Sequence, residues 1–326
     1  MKCKQAVLSL IVVVLSSLLV SQQNPDQSFT YSLPGLKGGL EIQMGSMKVQ
    51  GADFRPGGDG LKVLAKDNSG LVMTLFLEKA PHKGSAVDCR DDWWNKTKKS
   101  SPFKREDLKL SEDGQMARAD YFIREYKRVK VNQKVVHAYL TSDEVWVEIH
   151  LSKTGYQPSD PDPFASVLGT VHMLADYVPG TMDYFQWGTF FYRDHIYAKA
   201  AVYYQQALDF EKKDPKIESS LFRVLVDNLG MSYGMSGDLA KAKETFDYGV
   251  SRDPVYPLFY YNLACTYAEM NDLSTSLEYL KKAFEHRDSV IAGEKMPDPR
   301  TDDSFKRFRN DPSFKETVRV LPGLAP

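Results

Sequence analysis

Three short stretches decide the fold: Trp187-Gly188-Thr189-Phe190-Phe191, Leu229-Gly230-Met231-Ser232-Tyr233 and Leu263-Ala264-Cys265-Thr266-Tyr267. Each sets a small residue after a bulky apolar one and three places before an aromatic. The pattern then continues in step. Ala200, Ala242 and Ser276 follow at one common distance, then Tyr204, Phe246 and Leu280, then Ala207, Gly249 and Ala283. The second interval is 34 residues at every position and the first is 42, the same frame with eight residues added. Small residues let two helices cross closely, and aromatic knobs fill the space beside the crossing. Pro254 closes the middle unit.

A helical frame of this period resembles the tetratricopeptide repeat (TPR). The resemblance covers about a third of the chain and implies stacked helical hairpins that make protein contacts. It places the first helices of the three units near 183–193, 221–235 and 257–269, with partners after Asp194-His195, Gly237-Asp238 and Asn271-Asp272. The eight added residues, around 212–219, are expected to lengthen a helix by about two turns. First helices line the inner face of such an array. The frame therefore assigns a partner-binding groove to Phe185, Tyr192, Arg193, Asp227, Met231, Met235, Tyr261 and Glu269. Aromatics and methionine suit a segment with apolar anchors. The competing expectation is a groove filled in cis by residues 288–300 or by the first domain. Chaperone-cofactor relatives hold a peptide carboxylate with Lys, Asn and Arg. The matching positions here are Phe185, Thr189, Asn228, Leu258 and Asn262, and only Asn228 agrees. That clamp is not carried over.

Three units leave an apolar end that needs a cap. Asp302 through Phe314 resembles the closing motif of many bacterial arrays, D-x-x-F-x-x-L-R-x-D-P-x-F, with Phe308 in place of the leucine. Phe305, Phe308 and Phe314 are expected to seal the array, and Asp311-Pro312 to start the last helix.

Residues 29–180 differ in character. Gly and Pro punctuate short segments at Pro34-Gly35, Gly38-Gly39 and 56–60. Val145, Val147, Ile149 and Leu151 alternate with Glu144, Trp146, Glu148 and His150, and Leu71 to Leu77 behave alike. That is the pattern of antiparallel strands covered on one side. Helical stripes are expected over 88–98, which carries Trp93-Trp94, and over 163–177, with Asp162-Pro163 as its start. The fold class is therefore α+β: an antiparallel-sheet domain with packed helices, then an all-α solenoid of three repeats plus C-terminal capping helices. The element order of the first domain is similar to the PsbP/Mog1 fold.

Lys2 and Lys4 precede an apolar run from Ala6 to Val20, followed by a polar stretch from Ser21 to Pro25. This describes a secretory signal over 1–21, with a linker over 22–28. A run of that length falls short of the roughly 20 residues that span a bilayer, although a retained anchor is the alternative to cleavage. The protein is read as bacterial and exported, periplasmic or secreted. A net charge of −1 over 326 residues gives no general argument for nucleic acid or an anionic surface. The domain plan is the signal, the linker, the α+β domain over 29–180, three repeats over 181–290, and a loop with capping helices over 291–326.

Sequence signals for chemistry are few. Gly230-Met231-Ser232-Tyr233-Gly234 matches G-x-S-x-G, but that motif needs a strand-to-helix turn and here sits inside a repeat helix. Cys89 could act as a nucleophile with His137 or His150 as base, yet nothing supplies an oxyanion hole. No His or Cys spacing suits zinc, and 160–163 lacks the spacing of a calcium loop. A Cys89–Cys265 bridge is not expected. No catalytic residue, metal or cofactor is assigned. The leading expectation is a non-enzymatic scaffold or adaptor that binds a protein or peptide segment. The alternatives are an envelope ligand-binding protein or an envelope hydrolase. A pocket converging on Cys89, His150 and the tryptophans would favour either alternative.

Overall fold

The structure, a computed structural model, describes residues 28–55, 57–97, 102–157, 159 and 162–324. The signal segment and Asp160 lie outside the described residues. Contacts divide the chain into two compact units, with the division between Pro179 and Gly180.

The first unit is built on a seven-stranded antiparallel sheet of order β3-β4-β5-β9-β8-β7-β6. In chain order the strands are β3 (Lys48–Phe54), β4 (Gly60–Lys66), β5 (Leu71–Lys79), β6 (Glu106–Asp113), β7 (Met116–Tyr126), β8 (Val129–Thr141) and β9 (Val145–Lys153). Both edge strands are irregular, with register shifts between Val49 and Gly51 and between Glu106 and Lys109. Such shifts discourage pairing with another chain. Lys127 and Arg128 form the β7–β8 turn with φ of 46° and 67°, a left-handed pair that usually draws Asn-Gly.

Alternation places Val63, Leu75, Ile149 and Ala138 on one buried face of this sheet. The other face was expected to meet solvent, and here the structure corrects the sequence. Helix α1 (Ala86–Thr97) packs on β7, β8 and β9 and buries Trp146, Glu148 and Tyr139 with Cys89. Glu148 tolerates burial because His137, diagonally across from it on β8, bonds it.

A smaller sheet joins β1 (Ser28–Ser32), β2 (Gly39–Gln43) and β10 (His172–Leu174) in the order β1-β2-β10. The helical stripe expected over 163–177 is therefore corrected as well. Helix α2 (Pro163–Leu168) stops at Gly169, and residues 172–174 pair with Glu41, Leu40 and Gly39 of β2. The Thr170 hydroxyl bonds the carbonyl of Val167 and accepts from the amide of Gln43, so it turns the chain from helix to strand. Asp162 caps α2 as expected, accepting from the amides of Phe164 and Ala165 at 3.0 and 3.3 Å.

The second unit is helical. Three hairpins are formed by α3 (Thr181–Arg193) with α4 (Tyr197–Lys213), α5 (Ser219–Met235) with α6 (Leu239–Arg252), and α7 (Pro257–Glu269) with α8 (Leu273–Glu285). A Cβ at Gly188 would lie 2.6 Å from the Tyr204 ring, and one at Gly230 would lie 2.5 Å from Phe246. The small residues are thus steric requirements of the crossing.

The hairpin turns keep the same frame. His195, Gly237 and Asn271 all adopt left-handed backbone, with φ of 63°, 96° and 64°. In each case the next amide reaches back to the aromatic knob: Ile196 to Phe191, Asp238 to Tyr233 and Asp272 to Tyr267, at 2.8–2.9 Å. The added residues between the first two units are shared out. α4 has 17 residues against 14 in α6, and α5 has 17 against 13 in α7. Each helix gains about one turn, rather than one helix gaining two.

The cap forms at the expected place. A 3₁₀ helix (Asp303–Phe308) packs on α7, and α9 (Pro312–Val320) packs on α8. Phe305 and Phe314 are fully buried, with ring centroids 5.6 Å apart, while Phe308 is half-buried. Asp311 caps α9 through the amides of Ser313 and Phe314. No described helix is long and apolar enough to cross a membrane.

Candidate functional site

The residues assigned to the inner face of the array lie on α3, α5 and α7, but they do not line an open groove. Phe185, Tyr192, Asp227, Met231 and Tyr261 are buried. Arg193, Met235 and Glu269 are partly exposed. Those five positions are thus covered by the protein's own residues. Residues 290–302, which follow α8, meet two tyrosines at the start of the third hairpin. The Tyr256 hydroxyl donates to Glu294 Oε2 at 2.9 Å, and the Tyr261 hydroxyl to Asp302 Oδ2 at 3.1 Å. Ile291 and Met296 pack against the same core as Phe185, Tyr192, Met231 and Leu258. Beyond that stretch Arg307 pairs with Glu269 at 3.6 Å.

Neighbouring side chains hold the units in register. Tyr192 Oη donates to the Met231 sulfur at 3.6 Å, across the first two units. Asn228 Nδ2 donates to Tyr204 Oη at 3.2 Å, and that hydroxyl donates to Thr189 Oγ1. One repeat later, Asn262 Nδ2 donates to Asp227 Oδ1. The two asparagines at the clamp positions therefore join hairpins to each other. Asp227 is enclosed with an unusual neighbour. Burial, and then the nearby carboxylate of Glu294, push its carboxyl well above the usual range. Burial likewise raises Glu294, against the bond from Tyr256. The cation of this cluster is Arg223, which lies over the Tyr256 ring at 4.9 Å and pairs with Asp253 at 2.7 Å.

Other candidates resolve more simply. Ser232 is fully buried in the last turn of α5 and donates to the Asn228 carbonyl at 2.7 Å, so G-x-S-x-G here is a helical coincidence. Cys89 is fully buried, and burial with the charge of Glu148 pushes its thiol up, away from the thiolate a nucleophile needs. Neither Cys89 nor Cys265 is in a disulfide.

His137 forms a chain that the sequence did not announce. Its Nδ1 lies 2.7 Å from Glu148 and its Nε2 lies 3.1 Å from the Tyr121 hydroxyl. His150 packs against His137 with ring centroids 4.5 Å apart, and burial lowers it to about 3, so it stays neutral. The only signal for this chain was polar residues at facing strand positions. The tryptophan pair closes over it: Trp94 lies 5.9 Å from Tyr121, Arg105 stacks on Trp94 at 4.3 Å, and Trp93 meets Phe76 at 5.7 Å. A hollow of about 250 Å³ does exist in this unit, but Met116, Leu140, Val171, His172 and Met173 line it, not these residues. No group of three or more His, Cys, Asp or Glu able to hold a metal occurs among the described residues.

Comparison with known proteins gives a consistent result for the helical unit. The sequence model of the tetratricopeptide repeat matches residues 258–285, which are α7 and α8. No curated protein matches the chain. Among solved structures, it is similar to YrrB, described as a TPR protein with an unusual peptide-binding site, at 22% identity and a TM-score of 0.31. It is also similar to MamA, at 19% and 0.29, and to PcrH from Pseudomonas aeruginosa, at 18% and 0.31. These matches cover 34%, 33% and 35% of this chain. They span 54% of YrrB, 59% of MamA and 80% of PcrH. The match to the tetratricopeptide repeat falls on the third hairpin, and the first two hairpins repeat its crossing residues and left-handed turns.

Proposed function

We propose that the protein is an exported, non-enzymatic adaptor that binds a protein partner through its repeat array. The observation that carries this reading is the array itself. Three hairpins stacked in one frame give a long surface whose units touch only their neighbours, which suits extended partners. Export is supported by the basic start and the short apolar run. The exposed edge of the inner face is where a partner can reach first, at Arg193, Met235 and Glu269. Charges there would set register and on-rate.

The test uses the full chain as bait in an extract of its native envelope, with bound proteins identified by mass spectrometry. Arg193→Glu with Met235→Asp should lose the partner and leave melting unchanged within a few degrees. Lys62→Glu with Leu64→Asp, on the exposed surface of β4, should keep it. Loss through the β4 pair alone would move the binding site to the first unit and overturn the reading.

A further inference from the structure

The far end of the β7–β8 hairpin is held at its base and bare beyond it. Pairing shifts between Ile123 and Glu125, where Asn132 adopts left-handed backbone with φ of 43°. The amides of Gly155 and Tyr156 bond the carbonyls of Val131 and Asn132 there, both at 3.0 Å. Such a shift adds twist and bends the ribbon. Past it Glu125 pairs with Lys130 and Tyr126 with Val129, and every residue from Arg124 to Lys130 is exposed.

The residues at this tip do not suit a merely solvated turn. Val129 is 62% exposed, and the Tyr126 ring meets that of Phe103, also exposed, with centroids 5.0 Å apart. Cations accompany these apolar groups. Lys127 Nζ lies 5.4 Å from the centre of the Tyr126 ring, and Arg128 and Lys130 flank Val129 in the chain. Nearby, Arg124 already pairs with Asp107 at 2.6 Å and Lys104 with Glu106 at 3.5 Å. Among the described residues no carboxylate pairs with Lys127, Arg128 or Lys130. The near-neutral charge of the whole chain thus hides a local excess, since Glu125 is the one carboxylate from 125 to 130. The turn also holds Lys127 and Arg128 in left-handed backbone, a strain that Asn-Gly would relieve. Charge alone guards a hairpin end against aggregation, but an exposed valine beside a ring pair works against that purpose.

We propose that the β7–β8 tip docks on an anionic lipid surface. Val129, Tyr126 and Phe103 enter the boundary between headgroups and acyl chains, where aromatic rings are favoured. Lys127, Arg128 and Lys130 lay their stems along that boundary and carry their charges to the lipid phosphates. The same charges repel a second copy of the tip. Nucleic acid fits less well, because bases stack on open ring faces; here the two rings meet each other and the most exposed apolar group is aliphatic. The inference is independent of the adaptor reading, since partner capture through Arg193 and Met235 can fail without touching it.

Flotation of the full chain with vesicles of equal parts phosphatidylglycerol and phosphatidylcholine tests it. Lys127→Asn with Arg128→Gly removes two cations and installs the turn that the backbone favours. Its melting temperature should hold or rise while its affinity for these vesicles falls roughly thirtyfold. Val129→Ser with Tyr126→Ser should lower affinity at least tenfold. Both losses should be absent on phosphatidylcholine alone, where the unaltered chain binds weakly. Equal binding by a folded Lys127→Asn, Arg128→Gly variant overturns the inference, because attachment through the apolar run near the N-terminus would behave that way.

Should the turn variant fold poorly, the salt dependence of the unaltered chain decides. Its vesicle binding should weaken at least tenfold between low salt and about 0.5 M, and binding indifferent to salt overturns the inference. Single-stranded RNA that binds while the vesicles do not would assign the tip to nucleic acid, and also overturns it.

Discussion

At the scale of single residues, the crossings carry the fold. Phe246 occupies the place a side chain at Gly230 would take, and Gly188 is blocked by Tyr204 in the same way. Gly230→Leu is expected to prevent folding, since overpacking costs about 1–3 kcal/mol even where the surroundings can adjust. Ser232→Ala, two residues away, removes one local bond to Asn228 and should cost roughly 1 kcal/mol or less by denaturant melting. These roles were legible because a period exposes them: Gly230 is read from Gly188 and Ala264.

Asp227 was not legible in the same way. The frame put it on the inner face but could not show what lay above it. Its carboxyl is raised in the folded protein, as is that of Glu294. The folded state therefore keeps protons to higher pH than the unfolded chain does. This contribution is fully present below the ordinary carboxylate range, about pH 4, and is lost as pH rises through the raised values. The groups that face the pair are Arg223 on α5, Tyr256 just before α7, and Asn262 on α7. Asp227→Asn keeps an acceptor for Asn262 and removes the charge. Its melting temperature should exceed that of the unaltered chain by a few degrees at pH 8, and the gap should close toward pH 4. A gap that widens on acidification would contradict the assignment.

At the scale of elements, propensity located helices well and their ends less well. α1, α5 and α7 begin and end within about two residues of expectation, because apolar stripes and flanking turn residues agree. The stripe over 163–177 failed because Val171 and Leu174 continue a helical spacing that Gly169 and Thr170 interrupt. Spacing alone does not register a side chain that competes for backbone amides. The face of Glu148 and His150 misled for a related reason, since alternation reports polarity and not cover.

One turn remains suboptimal. Gly237 and Asn271 suit left-handed backbone, whereas His195 bears its steric cost at the equivalent place. His195→Gly should stabilise the first hairpin by about 0.5–1 kcal/mol, read as a raised denaturation midpoint at unchanged slope. A lowered midpoint would show that the contact of His195 with the Tyr197 ring matters more.

At the scale of the whole molecule, the division between Pro179 and Gly180 predicts independent folding of the helical unit. A fragment beginning at Thr181 should be helical by circular dichroism and melt in one cooperative step. A molten product would mean that the first unit completes the array's core. The presence of an array was legible at this scale, while the sequence left its inner face between an open groove and one filled in cis. Residues 290–302 have no apolar periodicity, so their position depends on tyrosines and carboxylates far apart in sequence.

The proposed partner meets this protein on the inner face of the array. Site-specific photo-crosslinking in living cells tests it most directly, with the photoreactive residue placed at Met235 in one strain and at Leu64 of β4 in another. One discrete adduct is expected from Met235, lost when Arg193 is changed to Glu, and none from Leu64. An adduct from Leu64 with none from Met235 would contradict it.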